Sequence, residues 1–445
     1  MPDVKSLGRF SIGVGDRFVH QAEAQLRACV RAAETGAVVV PVWNKSNREH
    51  TIIGSDPAQT RAAADAAVRR LKWQRPYFCD ADHINLSTVD RFLEPCDFFT
   101  IDVADQIGVD AEQSDLDRFI RRHASLVGEV DLPGLTDPVL VNRQDLERVG
   151  RKYLAAVLRS AEIYRHIERV KGRGTFLTEV SMDETDSPQQ PVELLLILAA
   201  LGDGGVPLAT IAPKFTGRFN KGVDYVGDPR IFARELEQDM AVIRYAIDAF
   251  GFPAELKLSL HSGSDKFSIY GAVHHAMMKM GAGLHLKTAG TTWLEEVIGL
   301  AESGGDALAL VKEIYTKAYA HREELCVPYA AVIDIDQASL PTPAEAQRWT
   351  AEQWAGALRH DRESPQYNRS LRQLMHVAFK IAAKMGPRYT AMLEQHEEPV
   401  AENVTANLLD RHIRPVFLGS NPMQTSPVQT AGAQSGTQSA GIVRH

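Results

Sequence analysis

The chain has 445 residues, 44% hydrophobic and 24% charged, an ordinary globular composition that excludes wholesale disorder or a fibrous repeat. Lys and Arg number 49 against 57 Asp and Glu, a formal charge of -8. Without a basic tract no nucleic-acid partner is expected, because neutralising phosphates needs clustered cations, and any recognised anion should be small and held in a pocket.

Cys29, Cys79, Cys96 and Cys326 never approach CxxC spacing, so neither a zinc ribbon nor an iron–sulfur cluster is expected. Met1 to Phe10 carries charges and no apolar signal core, and the longest apolar stretch, Leu194–Leu201, is far short of a bilayer span. The expectation is a cytoplasmic protein with no membrane partner; homo-oligomerisation is left open.

In chain order, strands are predicted at Phe10–Val14, Ala37–Val42, Pro76–Asp80, Asp97–Asp102, Thr175–Val180, Leu208–Pro213, Leu256–Leu260, Gly283–Lys287 and Ala330–Asp334. Most are continuous apolar runs, as expected of strands covered on both faces. Helical periodicity falls between them, at Asp56–Lys72, Asp115–Leu126, Gln144–Arg169, Pro229–Ala249, Lys266–Met280 and Trp293–Leu300, and later at Ala344–Arg359, Asn368–Met385 and Ala401–Leu409. This alternation predicts an α/β fold, a (β/α)8 TIM-type barrel with helical insertions and C-terminal helices, as one catalytic domain over residues 1–419. An open doubly wound sheet is the alternative. Residues 420–445, rich in Gln, Ser, Thr, Gly, Ala and Pro, read as a disordered tail without chemistry. Neither GxGxxG nor GxxxxGK[ST] occurs, so no nucleotide cofactor is expected.

The apolar runs end in clusters of reactive residues. Asp16 and Arg17 follow the first run, Asp80, Asp82 and His83 the third, and Asp102 and Asp105 the fourth. Glu179, Asp183, Glu184 and Asp186 come next, then Lys214, Arg218, Asn220 and Lys221, then His261 to Lys266, and finally His285, Lys287 and Thr288. In a parallel barrel these tips converge on one face, where such folds do chemistry.

Imidazoles and carboxylates gathered there suit a divalent metal, with His83, Glu179, His261 and His285 as candidate ligands. Zinc, manganese, nickel or cobalt would each suit such donors. Each residue has a plainer reading: His83 as a cap for the helix near Leu86, His285 as a buried strand histidine, Glu179 as a structural ion pair with a barrel cation. His261 is favoured because Ser262-Gly263-Ser264 follows it, a turn that lets backbone approach a ligand. Cations at or after strand ends, Arg17, Lys214, Arg218, Lys221, Lys266 and Lys287, point to an anionic substrate such as a carboxylate.

Several stretches together are similar to the tagaturonate epimerase family. They are Cys79-Asp80-Ala81-Asp82-His83-Ile84, Thr178-Glu179-Val180-Ser181-Met182-Asp183-Glu184, Pro213-Lys214-Phe215-Thr216-Gly217, Ser259 to Phe267, His285 to Thr292, and the Asn403 to Leu409 region. The resemblance implies a metal-dependent enzyme that interconverts D-tagaturonate and D-fructuronate in hexuronate catabolism. Related enzymes act on the neutral ketohexoses tagatose and fructose. The two acids differ at the hydroxyl carbon β to the ketone, where enolisation offers no electron sink. Retro-aldol cleavage and re-addition is therefore expected, with Asp82 and Asp183 exchanging the hydroxyl proton and the strand-end cations holding the carboxylate. A class II aldolase, a ketose isomerase or a non-catalytic sugar-acid sensor would use much of the same mouth.

Overall fold

The computed structural model describes residues 5–420 except Glu184 and Ala289, so the segment expected to be a tail lies, apart from Ser420, outside the described residues. Eight strands run parallel in a closed barrel: β1 (Phe10–Gly15), β2 (Val39–Ser46), β3 (Phe78–Ile84), β4 (Phe98–Asp102), β7 (Leu177–Ser181), β8 (Thr210–Ala212), β9 (Lys257–His261) and β10 (Leu284–Lys287). Each pairs with its neighbour in sequence, and β10 closes on β1 with Phe10 opposite Leu284. Between β4 and β7 an antiparallel hairpin of β5 (Gly128–Val130) and β6 (Val139–Val141) precedes the long helix Arg143–Lys171. The (β/α)8 expectation holds, and the open sheet is excluded by closure.

Local chemistry explains several element boundaries. Asn142 accepts from the Asp145 amide and Asp145 returns the bond, a capping box that starts helix Arg143–Lys171. The apolar run Leu194–Leu201 is the buried middle of helix Pro191–Asp203, as expected where a helix is apolar on all sides. Among the described residues no helix is long and apolar enough to cross a membrane. The expected strand Ala330–Asp334 is instead a 3-10 turn, Val327–Val332, running into extended chain. The predicted helix Ala344–Arg359 splits at Trp349, because the Thr350 hydroxyl caps a new helix, Ala351–Leu358.

The barrel interior changes character along its axis. Its floor is a small apolar cluster of Leu7, Val40, Val42, Phe78 and Phe98, separate from the main core between sheet and helices. Two residues further along the strands the inward positions turn polar: Asn44 after Val42, Asp80 after Phe78, Thr100 after Phe98, and Glu179 after Leu177. Side chains alternate across a strand, so every second residue faces the interior while the intervening ones keep the outer face apolar.

Candidate active site

Above the apolar floor lies a layer of buried charge. The Lys287 ammonium, 2% exposed, lies 2.9 Å from Asp80 Oδ2, 2.8 Å from Asp82 Oδ1 and 3.1 Å from Glu179 Oε1. Thr100 donates to Asp80 and Glu179, and Thr210 donates to Glu179 Oε2 at 2.5 Å. Burial opposes the charge on Lys287, yet its three carboxylates hold the pKa well above the ordinary lysine range. Burial likewise opposes the Glu179 charge, and Lys287 and His261 hold that carboxyl well below its usual range. Glu179 is therefore doubly anchored.

The next layer forms the rim. His261, the last residue of β9, directs Nε2 to Glu179 Oε1 at 2.8 Å and Nδ1 to Asp183 Oδ2 at 3.1 Å. His83 directs Nδ1 to Asp82 Oδ1 at 3.0 Å, with Nε2 3.7 Å from Asp183 Oδ1. The two rings lie 5.4 Å apart between centroids. Burial opposes protonation of His261, but Asp183 and Glu179 raise its pKa to about 9. His83 takes left-handed backbone, φ +52, where the β3–β4 ladder breaks between Ala81 and Ile84. A bulge of this kind re-aims a side chain, and here it sets Asp82 and His83 side by side at the rim.

Ligand atoms of His83, Asp183 and His261 all lie within 4.8 Å of one another. Each imidazole turns one nitrogen to a carboxylate behind it, Asp82 or Glu179, and the other toward Asp183. That is how metal-ligating histidines are usually oriented, with the second ring nitrogen fixed by an outer carboxylate.

The expected ligands thus separate. His83 and His261 meet at the rim, joined by Asp183, which was expected as an acid–base group. Glu179 stands behind His261, in an ion pair with the barrel cation Lys287. His285 lies a layer deeper, opposite Ser11, whose hydroxyl is 2.9 Å from Nδ1; burial pulls its pKa down to about 3.

The expected substrate cations separate too. Lys287 is enclosed by carboxylates, and the Lys214 ammonium donates to the Thr185 carbonyl. Arg218 is exposed on a hairpin closed by its backbone bonds to Val226. Arg17 pairs with Glu49 at 3.0 Å and lies over Phe379. Lys266 is fully buried, donating to Ser264 Oγ at 2.9 Å, and burial pulls its pKa down to about 7.

Several residues at the site escaped the sequence reading. Thr100 and Thr210 are the register partners of Glu179 on the two flanking strands, a position that two-residue alternation from the strand tips would have marked. His376 arrives on helix Arg369–Val377 with no local signal; its ring packs on Gly290, and its Nδ1 is buried without a partner.

Residues 1–413 match the model of a family described as tagaturonate epimerase. A tagaturonate/fructuronate epimerase from Thermotoga maritima is 28% identical over 440 residues, covering 93% of this chain and 82% of that protein. A glycerol-bound crystal structure of a fructuronate-tagaturonate epimerase from Cohnella laeviribosi superposes with a TM-score of 0.76 at 25% identity, covering 94% of this chain and 83% of that one. The native crystal structure from the same organism gives 0.76 at 24% identity, again covering 94% and 83%.

Proposed function

We propose the reaction from the premise that this chain belongs to the tagaturonate epimerase family: it interconverts D-tagaturonate and D-fructuronate by inverting the hydroxyl-bearing carbon β to the ketone. The observation that carries the reading is the pair of histidines at the barrel mouth, each backed by a carboxylate and both facing Asp183.

Two imidazoles and a carboxylate are a donor set suited to a divalent cation with open positions. His83, His261 and Asp183 would hold it, and Asp82 and Glu179 would fix the ring orientations. When bound, such an ion supplies Lewis-acid stabilisation of negative charge on the ketone side of the substrate.

The remaining work falls to the chain's own groups. Counting the ketone as C2, the C4 hydrogen is not acidified by it, so inversion at C4 requires the C3–C4 bond to open. A base takes the proton from O4, O4 becomes an aldehyde oxygen, and the bonding pair passes to C3 as an enediolate. The aldehyde fragment turns over, C3 re-adds to its other face, and the proton returns to O4. Asp82 suits the base: Oδ1 is held by His83 and Lys287, while Oδ2 has no partner among the described residues. Lys287 pairs with the adjoining carboxylates of Asp80 and Glu179 beside the base.

Turnover of D-tagaturonate in deuterium oxide tests this route. Product D-fructuronate should carry no deuterium at C4, and label at that carbon would reject bond cleavage in favour of proton exchange. Failure to form D-fructuronate at all would reject the reaction itself.

A further inference from the structure

Beyond the ends of β9 and β10 the chain builds a second polar pocket. Ser262 and Gly263 amides both donate to the Lys287 carbonyl, and the Gly290 amide donates to the Gly263 carbonyl at 3.0 Å. These bonds bring Gly263, with φ +66, and Gly290 together. Gly290 has no room for a methyl group, and at Gly263 one would press on a lysine. A Cβ on Gly263 would meet the Lys221 ammonium at 3.3 Å, and one on Gly290 would meet the His376 ring at 2.2 Å. Two glycines thus make a floor on which a lysine and a histidine from distant segments rest. A third group joins them, because Ser264 Oγ accepts from Lys266 Nζ at 2.9 Å and from the Gly222 amide, next to Lys221, at 3.0 Å.

The charge around this floor is lopsided. Arg372 is matched by Asp265 at 2.7 Å and Arg17 by Glu49 at 3.0 Å. Lys221 and Lys266 have no carboxylate at ion-pair distance among the described residues; Lys221 is half-buried, and Lys266 is wholly buried with its ammonium donating to the Ser264 carbonyl and hydroxyl and to the Asp265 carbonyl. The His376 ring is 2% exposed with Nδ1 lacking any partner, and Arg17, Lys221, Arg372 and Lys266 all depress its pKa after burial itself. A half-buried ammonium with no carboxylate partner, beside a buried imidazole nitrogen with no partner at all, suits an anion.

We propose that Lys221 and His376, meeting over Gly263 and Gly290, with Lys266 behind them on Ser264, form the subsite for the carboxylate of the sugar acid, while its ketone end lies at His83, Asp183 and His261. This rests on the epimerase reading, which it extends to the basis of preference for an acid over a neutral ketose. The span fits: Gly263 is two residues beyond His261, at most about 7 Å of extended chain, comparable with the distance between the ends of a six-carbon sugar acid. The C-terminal helices are then part of the specificity machinery, because His376 reaches the mouth only through helix Arg369–Val377, which Arg372 pins to the Gly222 carbonyl and to Asp265.

The test compares wild type with Lys221→Met, Lys221→Arg and His376→Gln, using D-tagaturonate and D-tagatose, which differ in bearing a carboxylate or an alcohol at C6. Binding of both is measured by calorimetry and epimerisation of D-tagaturonate by kinetics, with melting curves as a control for folding. Lys221→Met should raise KM and Kd for D-tagaturonate about ten-fold or more, with kcat within about two-fold and D-tagatose binding unchanged. Lys221→Arg should restore most of the loss, and His376→Gln should weaken the acid selectively. Equal losses for both sugars, or a KM for D-tagaturonate within about two-fold of wild type, would overturn the subsite. A wild-type protein that binds the acid in preference to the ketose but does not epimerise it would overturn the reaction and leave the subsite standing.

Discussion

Lys287 and Glu179, on β10 and β7, face each other across the barrel interior with their charged atoms 3.1 Å apart, and Asp80 and Asp82 lie on the same ammonium at 2.9 and 2.8 Å. One buried cation is shared by three carboxylates. Lys287→Met leaves Asp80 with no cationic partner and takes one from Asp82 and Glu179, which keep His83 and His261, so about 3–5 kcal/mol of unfolding free energy should be lost, read by urea denaturation. Adding Glu179→Gln should recover part of that loss. A Lys287→Met protein as stable as wild type would show that the pairing does not hold the interior.

Under the proposed metal site, metal retention should separate His83, His261 and Asp183 from the groups that only orient them. His261→Ala and Asp183→Asn should bring bound divalent metal after dialysis close to zero. Glu179→Gln should weaken affinity by about 10–100-fold without abolishing it, because it removes only the acceptor behind His261. His285→Gln should leave metal content unchanged. Metal loss in His285→Gln equal to that in His261→Ala would return His285 to the ligand set.

Two glycines should answer oppositely to alanine. Gly299, in helix Thr291–Glu302, would place a Cβ 2.7 Å from the Val400 Cα of helix Glu397–Ala406. Gly299→Ala should therefore destabilise by about 1–3 kcal/mol through overpacking. Gly271, in helix Phe267–Met280, has nothing within 4 Å of its Cβ position. Gly271→Ala should stabilise by about 0.4–1 kcal/mol. Melting temperatures of the two variants read both effects.

The barrel floor carries a pH-dependent group. Lys257 donates to the Gly8 carbonyl at 2.5 Å, and burial pulls its pKa from 10.5 down to about 7. Between those values the unfolded chain holds a proton that the folded chain has released, so stability attributable to Lys257 rises with pH across that window. Below about pH 7 both states are protonated and that contribution is lost. The melting temperature of wild type relative to Lys257→Met should therefore climb from about pH 7 toward pH 10. A flat or falling difference would mean that the buried amine stays charged.

Much of this was legible before any fold was known. Runs such as Phe10–Val14 and Thr175–Val180, alternating with periodic helices, determined a parallel α/β barrel, because strands covered on both faces must be apolar along their outer side. Reactive residues immediately after those runs marked the mouth, and the spacing of His83, Asp183 and His261 from their strands put them there. What the sequence could not assign was direction. Glu179 and Asp183 are four residues apart and chemically alike, yet the register of β7 sends Glu179 inward against Lys287, while the loop after Ser181 brings Asp183 back between two histidines.

Only the tertiary structure could join His376 to Lys221 and Lys266. They stand on a C-terminal helix and two separate barrel loops, and no local pattern links them, since contact across more than a hundred residues depends on how helices dock over the barrel mouth. Strand periodicity is a property of neighbours in the chain and can be read there; the partner of a buried charge is a property of neighbours in space, and it exists only once the chain has closed on itself.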